Sequence, residues 1–206
     1  MASHAENMEL DPRTRERSMY RMLTGTVVPR PIGWVSTTGP EGVDNLAPYS
    51  FFTVASIDPP VLLFSAGDRP GRPDDLSDTA RNARETGEFV VNVVTEPFAE
   101  AMNETSATLP PGDSEFDHAG LERAASTAVD PPRVAGIEAA YECRLHDTVE
   151  VGSNTLVLGE VVYAHLSDGI LTEEGKTDVG EVAAVGRLAG SGYCYTRERF
   201  RMERPD

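Results

Sequence analysis

The chain has 206 residues, with 18 Lys and Arg against 34 Asp and Glu and a formal charge of −16 at neutral pH. So acidic a surface repels phosphate backbones unless its few cations cluster sharply, which excludes a generic nucleic-acid binder. No run approaches the roughly 20 apolar residues that cross a bilayer, so no membrane partner is expected. The length suits one domain with a substantial core.

Lys176 is the sole lysine, and acidic side chains cover nearly every loop. This composition resembles that of proteins from a high-salt, halophilic cytoplasm, where a Debye length of about 3 Å at 1 M salt relieves self-repulsion; an ordinary acidic mesophilic protein is the alternative. Cys143 and Cys194 are too few and too far apart for a disulfide scaffold or a zinc site, and no metal is expected. The charged stretch Met1 to Arg17 has no signal-peptide pattern. The expectation is a cytoplasmic protein with a flexible tail over 1–17, one domain over 18–200 and a short tail over 201–206.

In chain order, Ser18 to Leu23 predicts a short helix. Val27 to Thr37 reads as a strand whose Pro29 and Pro31 force an edge or a bulge before full pairing near Trp34. Thr38 to Gly42 is a turn cluster, and Leu46 to Ser56 resumes an extended pattern, so the two form a hairpin. Val61 to Ser65 is a short buried strand. Ser77 or Asp78 then caps a helix over Thr79 to Thr86, with Gly87 at its C′ position. Phe89 to Val94 is apolar on both faces and hence central, and Pro97 to Asn103 suggests another short helix. Thr105 to Pro132, rich in Pro, Gly, Ser and Asp, reads as a long surface loop of the kind that serves as a lid or subunit contact. Tyr141 to Val151 alternates as a half-buried strand with Glu142, Arg144 and His146 on its wet face. Gly152-Ser153-Asn154 turns it back into Thr155 to Leu166, and Gly186 to Tyr195 is one more extended segment. About six strands and two or three short helices, without regular strand and helix alternation, favour a mainly β antiparallel barrel.

The phosphate-binding Gly-x-x-x-x-Gly-Lys-Ser/Thr loop, the Gly-x-Ser-x-Gly elbow and the His-Glu-x-x-His pair are all missing, and the four histidines are scattered. Chemistry without evident protein acids or nucleophiles points to a cofactor. Arg30-Pro31-Ile32-Gly33-Trp34-Val35-Ser36-Thr37, Asn45-Leu46-Ala47-Pro48-Tyr49-Ser50-Phe51-Phe52, Asp58-Pro59-Pro60 and Phe64-Ser65 resemble the flavin reductase-like and flavoredoxin-like family with an FMN-binding split β-barrel. Asp78-Thr79, Thr86 to Asn92, Met102-Asn103, Ser106, Gly159 to Val162 and Arg187-Leu188 extend the likeness in the expected order.

The resemblance implies a homodimeric split barrel holding FMN, or FAD, near the subunit interface. It also implies NAD(P)H as co-substrate and oxygen, free flavin or a partner oxygenase as acceptor; a flavoredoxin-like electron carrier without its own nicotinamide turnover is the alternative. Asn45, Ala47, Tyr49, Ser50 and Phe51 would position the ring with backbone amides and an aromatic wall, although Leu46, Phe51 and Phe52 would fill a core in any barrel. Ser36, Thr37, Asp78, Thr79 and Arg81 would hold the tail, since a helix start attracts anions, and Ser65 is a further cofactor-binding candidate; Ser77, Asp78 and Thr79 serve equally as a plain N-cap. Related sequences often carry Lys at Ser77, for which Arg30, Arg69 or Arg72 would have to substitute. No catalytic residue is assigned: His165 would orient nicotinamide or donate a proton, or be a satisfied barrel histidine. Gly152-Ser153-Asn154 stands where many reductases place Gly-Asp-His, which leaves Asn154 as a substitute.

Overall fold

A computed structural model describes residues 9–14 and 18–205. Most of the expected 1–17 tail, His4 included, lies outside the described residues. The strands are β1 (Arg30–Pro31), β2 (Gly33–Thr38), β3 (Asp44–Tyr49), β4 (Phe52–Ile57), β5 (Pro60–Gly67) and β6 (Glu88–Val93). There follow β7 (Arg123–Ala124), β8 (Arg133–Val134), β9 (Ala139–Val151), β10 (Asn154–Leu166), β11 (Val185–Arg187) and β12 (Tyr193–Tyr195). The helices are α1 (Met19–Thr26), α2 (Asp78–Thr86), α3 (Ala99–Glu104), α4 (Glu115–His118) and α5 (Val179–Val182).

Seven strands form one sheet in the order β3-β2-β6-β9-β10-β5-β4, every neighbouring pair antiparallel. Its two edge strands, β3 and β4, are consecutive in the chain and separated only by Ser50 and Phe51. Two residues span at most about 7 Å, so the sheet must curl until its edges meet. The Ser65 amide donates to the Phe51 carbonyl at 2.8 Å, which extends the β4–β5 ladder back to the joint between the two edges. The predicted single segment Leu46 to Ser56 is therefore two strands on opposite edges, and the main sheet has seven strands where about six were expected. Pro29 and Pro31 act as anticipated: β1 is reduced to two residues that leave the main sheet and pair with β11 in a small sheet β1-β11-β12.

The barrel has two apolar cores because β2 and β6 are buried on both faces. Val35, Phe64, Phe89, Val91, Cys143 and Val157 pack inside it with α2. Trp34, Leu46, Val94, Met102, Phe116 and Val134 pack on the other side. Interior space is tight where Gly159 faces Phe89: a Cβ at Gly159 would lie 2.6 Å from Phe89 Cε1 and 2.9 Å from Cys143 Cβ. Gly159→Ala is accordingly expected to lose about 1–3 kcal/mol of stability through overpacking, read as a lower urea midpoint at unchanged slope.

Helix α2 begins and ends where its sequence predicts. Ser77 caps it by accepting the Ala80 amide at 3.3 Å, and Gly87 closes it at φ +76°. The Pro97 to Asn103 helix is a 3-10 turn over Glu96–Phe98 that runs into α3. The β9–β10 hairpin pairs from Asn154 and Val151 to Leu166 and Ala139.

Two expectations need correction. Residues 105–132 are not an outlying loop: they carry α4 and β7, and Phe116 is fully buried. That ring fills the second core, which no local pattern in the segment announces. Glu142 is not on a wet face but has no exposed surface, because residues 127 and 128 fold back over β9 and donate their amides to it.

Candidate functional site

Residues 45, 47 and 49 project from one face of β3, as alternate positions on a strand must. Asn45, Ala47 and Tyr49 line a cleft of about 130 Å³ together with Ser77, Asp78 and Thr79 at the start of α2. Asn45 Nδ2 donates to Thr79 Oγ1 at 2.8 Å, and the Tyr49 hydroxyl lies 3.2 Å from Ser77 Oγ. These contacts tie the strand to the helix start. Burial pushes the Tyr49 phenol upward, against the hydroxyls of Ser77 and Thr79, so it remains a neutral donor at physiological pH.

Among the described residues, the Asp78 and Thr79 amides have no acceptor once Ser77 has taken that of Ala80. Arg81 and Arg72 both reach the Asp78 carboxylate, Arg72 at 3.5 Å. Arg81 Nη1 nevertheless remains buried without a partner. Arg81 lines the neighbouring hollow of about 420 Å³ and not this cleft, so the free helix-start amides, with Arg69 and Arg72, are the donors the cleft itself offers to an anion. These donors are chemically compatible with a flavin phosphate, and Asp78 holds both Arg72 and Arg81 beside the helix start.

The remaining predicted residues lie elsewhere. Ser36 and Thr37 are fully buried behind the cleft. Ser36 Oγ donates to the Pro132 carbonyl at 2.5 Å, and Thr37 Oγ1 accepts from Asn82 Nδ2 at 3.1 Å. Ser50 lines a neighbouring hollow of about 190 Å³ with Ile32, Pro48, Arg187 and Tyr193. Phe51 is 41% exposed, with the Arg30 guanidinium 5.8 Å from its ring centre. Ser65 Oγ accepts from Asn154 Nδ2 at 2.9 Å, so Asn154 is held against β5. His165 lines none of these hollows: its Nε2 sits 2.5 Å from Glu142 Oε1, the arrangement of a satisfied barrel histidine. Of the three cations suggested for the missing lysine, Arg69 and Arg72 line the cleft. Arg30 instead donates to the carbonyls of Thr24, Val27 and Leu188.

Sequence reasoning missed Glu115 and Thr105. Glu115 is buried at the cleft and accepts the Leu46 amide at 3.0 Å. Burial drives its carboxyl upward, opposed by that amide. Thr105 lines the cleft and accepts from Trp34 Nε1 at 2.9 Å, linking the single tryptophan to the site. The one available signal was Phe116, an aromatic residue in an otherwise polar stretch.

Residues 24–201 match the model of the flavin reductase like domain. An uncharacterized protein of Halalkalibacterium halodurans is 38% identical, over 96% of this chain and 97% of its own. The crystal structure of nitrilotriacetate monooxygenase component B from Bacillus cereus superposes with a TM-score of 0.89 at 33% identity, covering 96% of this chain and 100% of that one. The 2-nitrobenzoate 2-nitroreductase of Pseudomonas fluorescens gives a TM-score of 0.81 at 34% identity, with 90% of each chain covered.

Proposed function

Since the chain belongs to the flavin reductase-like family, we propose that it is an FMN-binding oxidoreductase using NAD(P)H and delivering electrons to oxygen, free flavin or a partner oxygenase. Bound FMN would supply the redox chemistry by accepting hydride at N5 and passing electrons onward. The observation that carries this reading is the anion site at the start of α2, clasped to β3 by the Asn45–Thr79 bond.

The chain's own part is positional. Thr79, Arg81 and the first amides of α2 would hold the phosphate, and Tyr49 and Ala47 would wall the cleft. Pro48 and Ser106 line both this cleft and the Ser50 hollow, so the two adjoin, and the ring would lie on that side of the tail. Such positioning is what a transfer between two stacked rings needs, since correct placement lowers the barrier without an acid or base.

An oxygenase partner is supported by the likeness to a monooxygenase component B. A homodimer is supported by β4, an edge strand on which Val54 and Ile57 are exposed beside Phe51. We place the protein in the cytoplasm on its acidic, lysine-poor composition; no helix among the described residues is long and apolar enough to cross a membrane. The electron-carrier reading draws on Asn154, whose side chain is engaged by Ser65.

Anaerobic stopped-flow mixing of the FMN-loaded protein with NADH or NADPH in molar KCl separates the two. Rapid bleaching of the flavin is the expected result. Tight FMN binding without bleaching selects the carrier, and failure to bind FMN removes both.

A further inference from the structure

We infer that Glu115 binds the phosphate as a neutral acid, so that the phosphorylated flavin enters this site together with one proton. The inference rests on the phosphate placement proposed above. Helix α4 sets Glu115 against the edge of β3, where its Oε2 accepts the Leu46 amide at 3.0 Å and the residue keeps only 9% of its surface exposed. Among the described residues, its Oε1 takes no hydrogen bond from another residue, and no cation pairs with the carboxylate. Glu115 nevertheless lines the same cleft as Ser77, Asp78 and Thr79 at the start of α2. That cleft holds about 130 Å³, below the roughly 300–1,000 Å³ of most small-molecule pockets, which leaves little room to keep a phosphate away from a lining carboxyl.

Charge decides which form Glu115 takes. Apart from the neutral Tyr49 phenol, the ionisable groups lining the cleft are Arg69 and Arg72 against Asp78 and Glu115. With both carboxyls ionised the two guanidiniums are already balanced, and a phosphate would arrive with no positive charge left to meet it. A proton on Glu115 removes one carboxylate and puts an O–H donor in its place. Donation from O–H to a phosphate oxygen is a strong, charge-assisted bond. Asp78 cannot take this part, because Arg72 and Arg81 both contact it.

The groups around Glu115 leave it the one to be neutralised. Burial pushes its carboxyl upward and the Asp78 charge acts the same way, opposed by the Leu46 amide and His118. Arg123, stacked on the adjacent Phe116, is committed to Asp44 and Asp117. On the side of the larger hollow, Glu41, Glu85 and Asp113 add carboxylates, and Arg81 is held by Asp78. A bound phosphate is one more like charge, and like charges sharing a site favour the neutral acid. Binding is therefore linked to proton uptake. Affinity for FMN is full where free Glu115 is protonated and falls as pH rises through its free value, whereas riboflavin, which has no phosphate, carries no such linkage.

The test compares wild type with Glu115→Gln, which keeps an acceptor for the Leu46 amide. Equilibrium dialysis gives Kd for FMN and riboflavin at pH 6 and pH 8 in 1 M KCl, where surface charge is screened beyond about 3 Å. Wild type is expected to bind FMN at least tenfold more weakly at pH 8 than at pH 6, and Glu115→Gln to change less than threefold. Calorimetric titration in two buffers of different ionisation enthalpy counts the protons taken up per FMN at pH 7, expected to exceed one half in wild type and to fall near zero in the variant. Absence of uptake by wild type overturns the inference whether or not the variant folds. An equal pH response in both proteins also overturns it, by assigning the proton to the phosphate, whose own second ionisation lies near pH 6. Riboflavin binding as tightly as FMN at both pH values marks the different failure, that of the phosphate placement itself, and the inference falls with it.

Discussion

The double variant Thr79→Ala, Arg81→Ala is expected to bind FMN about a hundredfold more weakly than wild type. Hydrogen bonds to a charged group contribute about 1.5–3 kcal/mol each, and every 1.4 kcal/mol is a factor of ten in Kd. On the proposed placement Arg81 would supply the stronger donor. Its Nη1 is buried without a partner, so a phosphate that drew it out toward the helix start would gain a bond without breaking one. Thr79 has a second duty, since its hydroxyl accepts Asn45 Nδ2 and both residues are buried. Thr79→Ala alone therefore also costs about 1–3 kcal/mol of stability through an unsatisfied amide, and Thr79→Ser is expected to restore most of both losses. Quenching of FMN fluorescence reads affinity, and the buried Trp34, the only tryptophan, reads unfolding in the same samples. Unchanged affinity in the double variant would remove the phosphate from the start of α2.

How much of this site was legible beforehand depends on how local each signal is. The α2 cap, the Gly87 stop and the β9–β10 turn are written in a few adjacent residues, and the chain folds there as those residues dictate. Asn45 and Thr79 entered the expected site through family resemblance. Their mutual bond, 34 residues apart, is a tertiary fact that no periodicity contains. The seam at Ser50 and Phe51 is hidden because the sequence pattern from Leu46 to Ser56 is strand-like throughout, whereas the chain bends at Ser50 and Phe51 between β3 and β4. The flanking strands are extended as expected, but the break between them and their partners are not in the pattern: a strand pattern says nothing about which edge a strand joins. Ser36 illustrates the converse, because a hydroxyl near a turn looks accessible in sequence, yet its partner is the carbonyl of Pro132, 96 residues on. Glu115 was hidden for the same reason. An acidic residue in an acidic chain carries no mark of burial until Leu46 and Phe116 close around it.

Glu142 is where this non-local burial has its largest consequence for stability. Its carboxylate has no exposed surface and accepts the amides of Thr127 at 2.7 Å and Ala128 at 2.5 Å, with His165 Nε2 at 2.5 Å. Burial pushes the carboxyl upward, but His165 and the two amides outweigh it and hold the group below the ordinary carboxylate range. Glu142→Ala strips all three donors of their acceptor at once, and breaking a buried charged cluster of this kind costs about 3–5 kcal/mol. The 127–128 strap and the Pro132 carbonyl that receives Ser36 are expected to loosen together, read as faster amide exchange over residues 125–134. The depressed folded value sets the sign with pH. Glu142 stabilises the fold above the unfolded glutamate value of about 4.3, and that contribution disappears as pH falls through the lower folded value. Glu115 runs the other way: its carboxyl is raised by burial, so its contribution is present below about pH 4.3 and is lost as pH rises through the folded value. Urea unfolding from pH 3 to 7 resolves the two. In Glu142→Gln the loss of stability on acidification is expected to flatten, whereas Glu115→Gln is expected to remove the opposing loss on the alkaline side. An acid limb equally steep in Glu142→Gln would show that the Thr127, Ala128 and His165 cluster is not what acid undoes first.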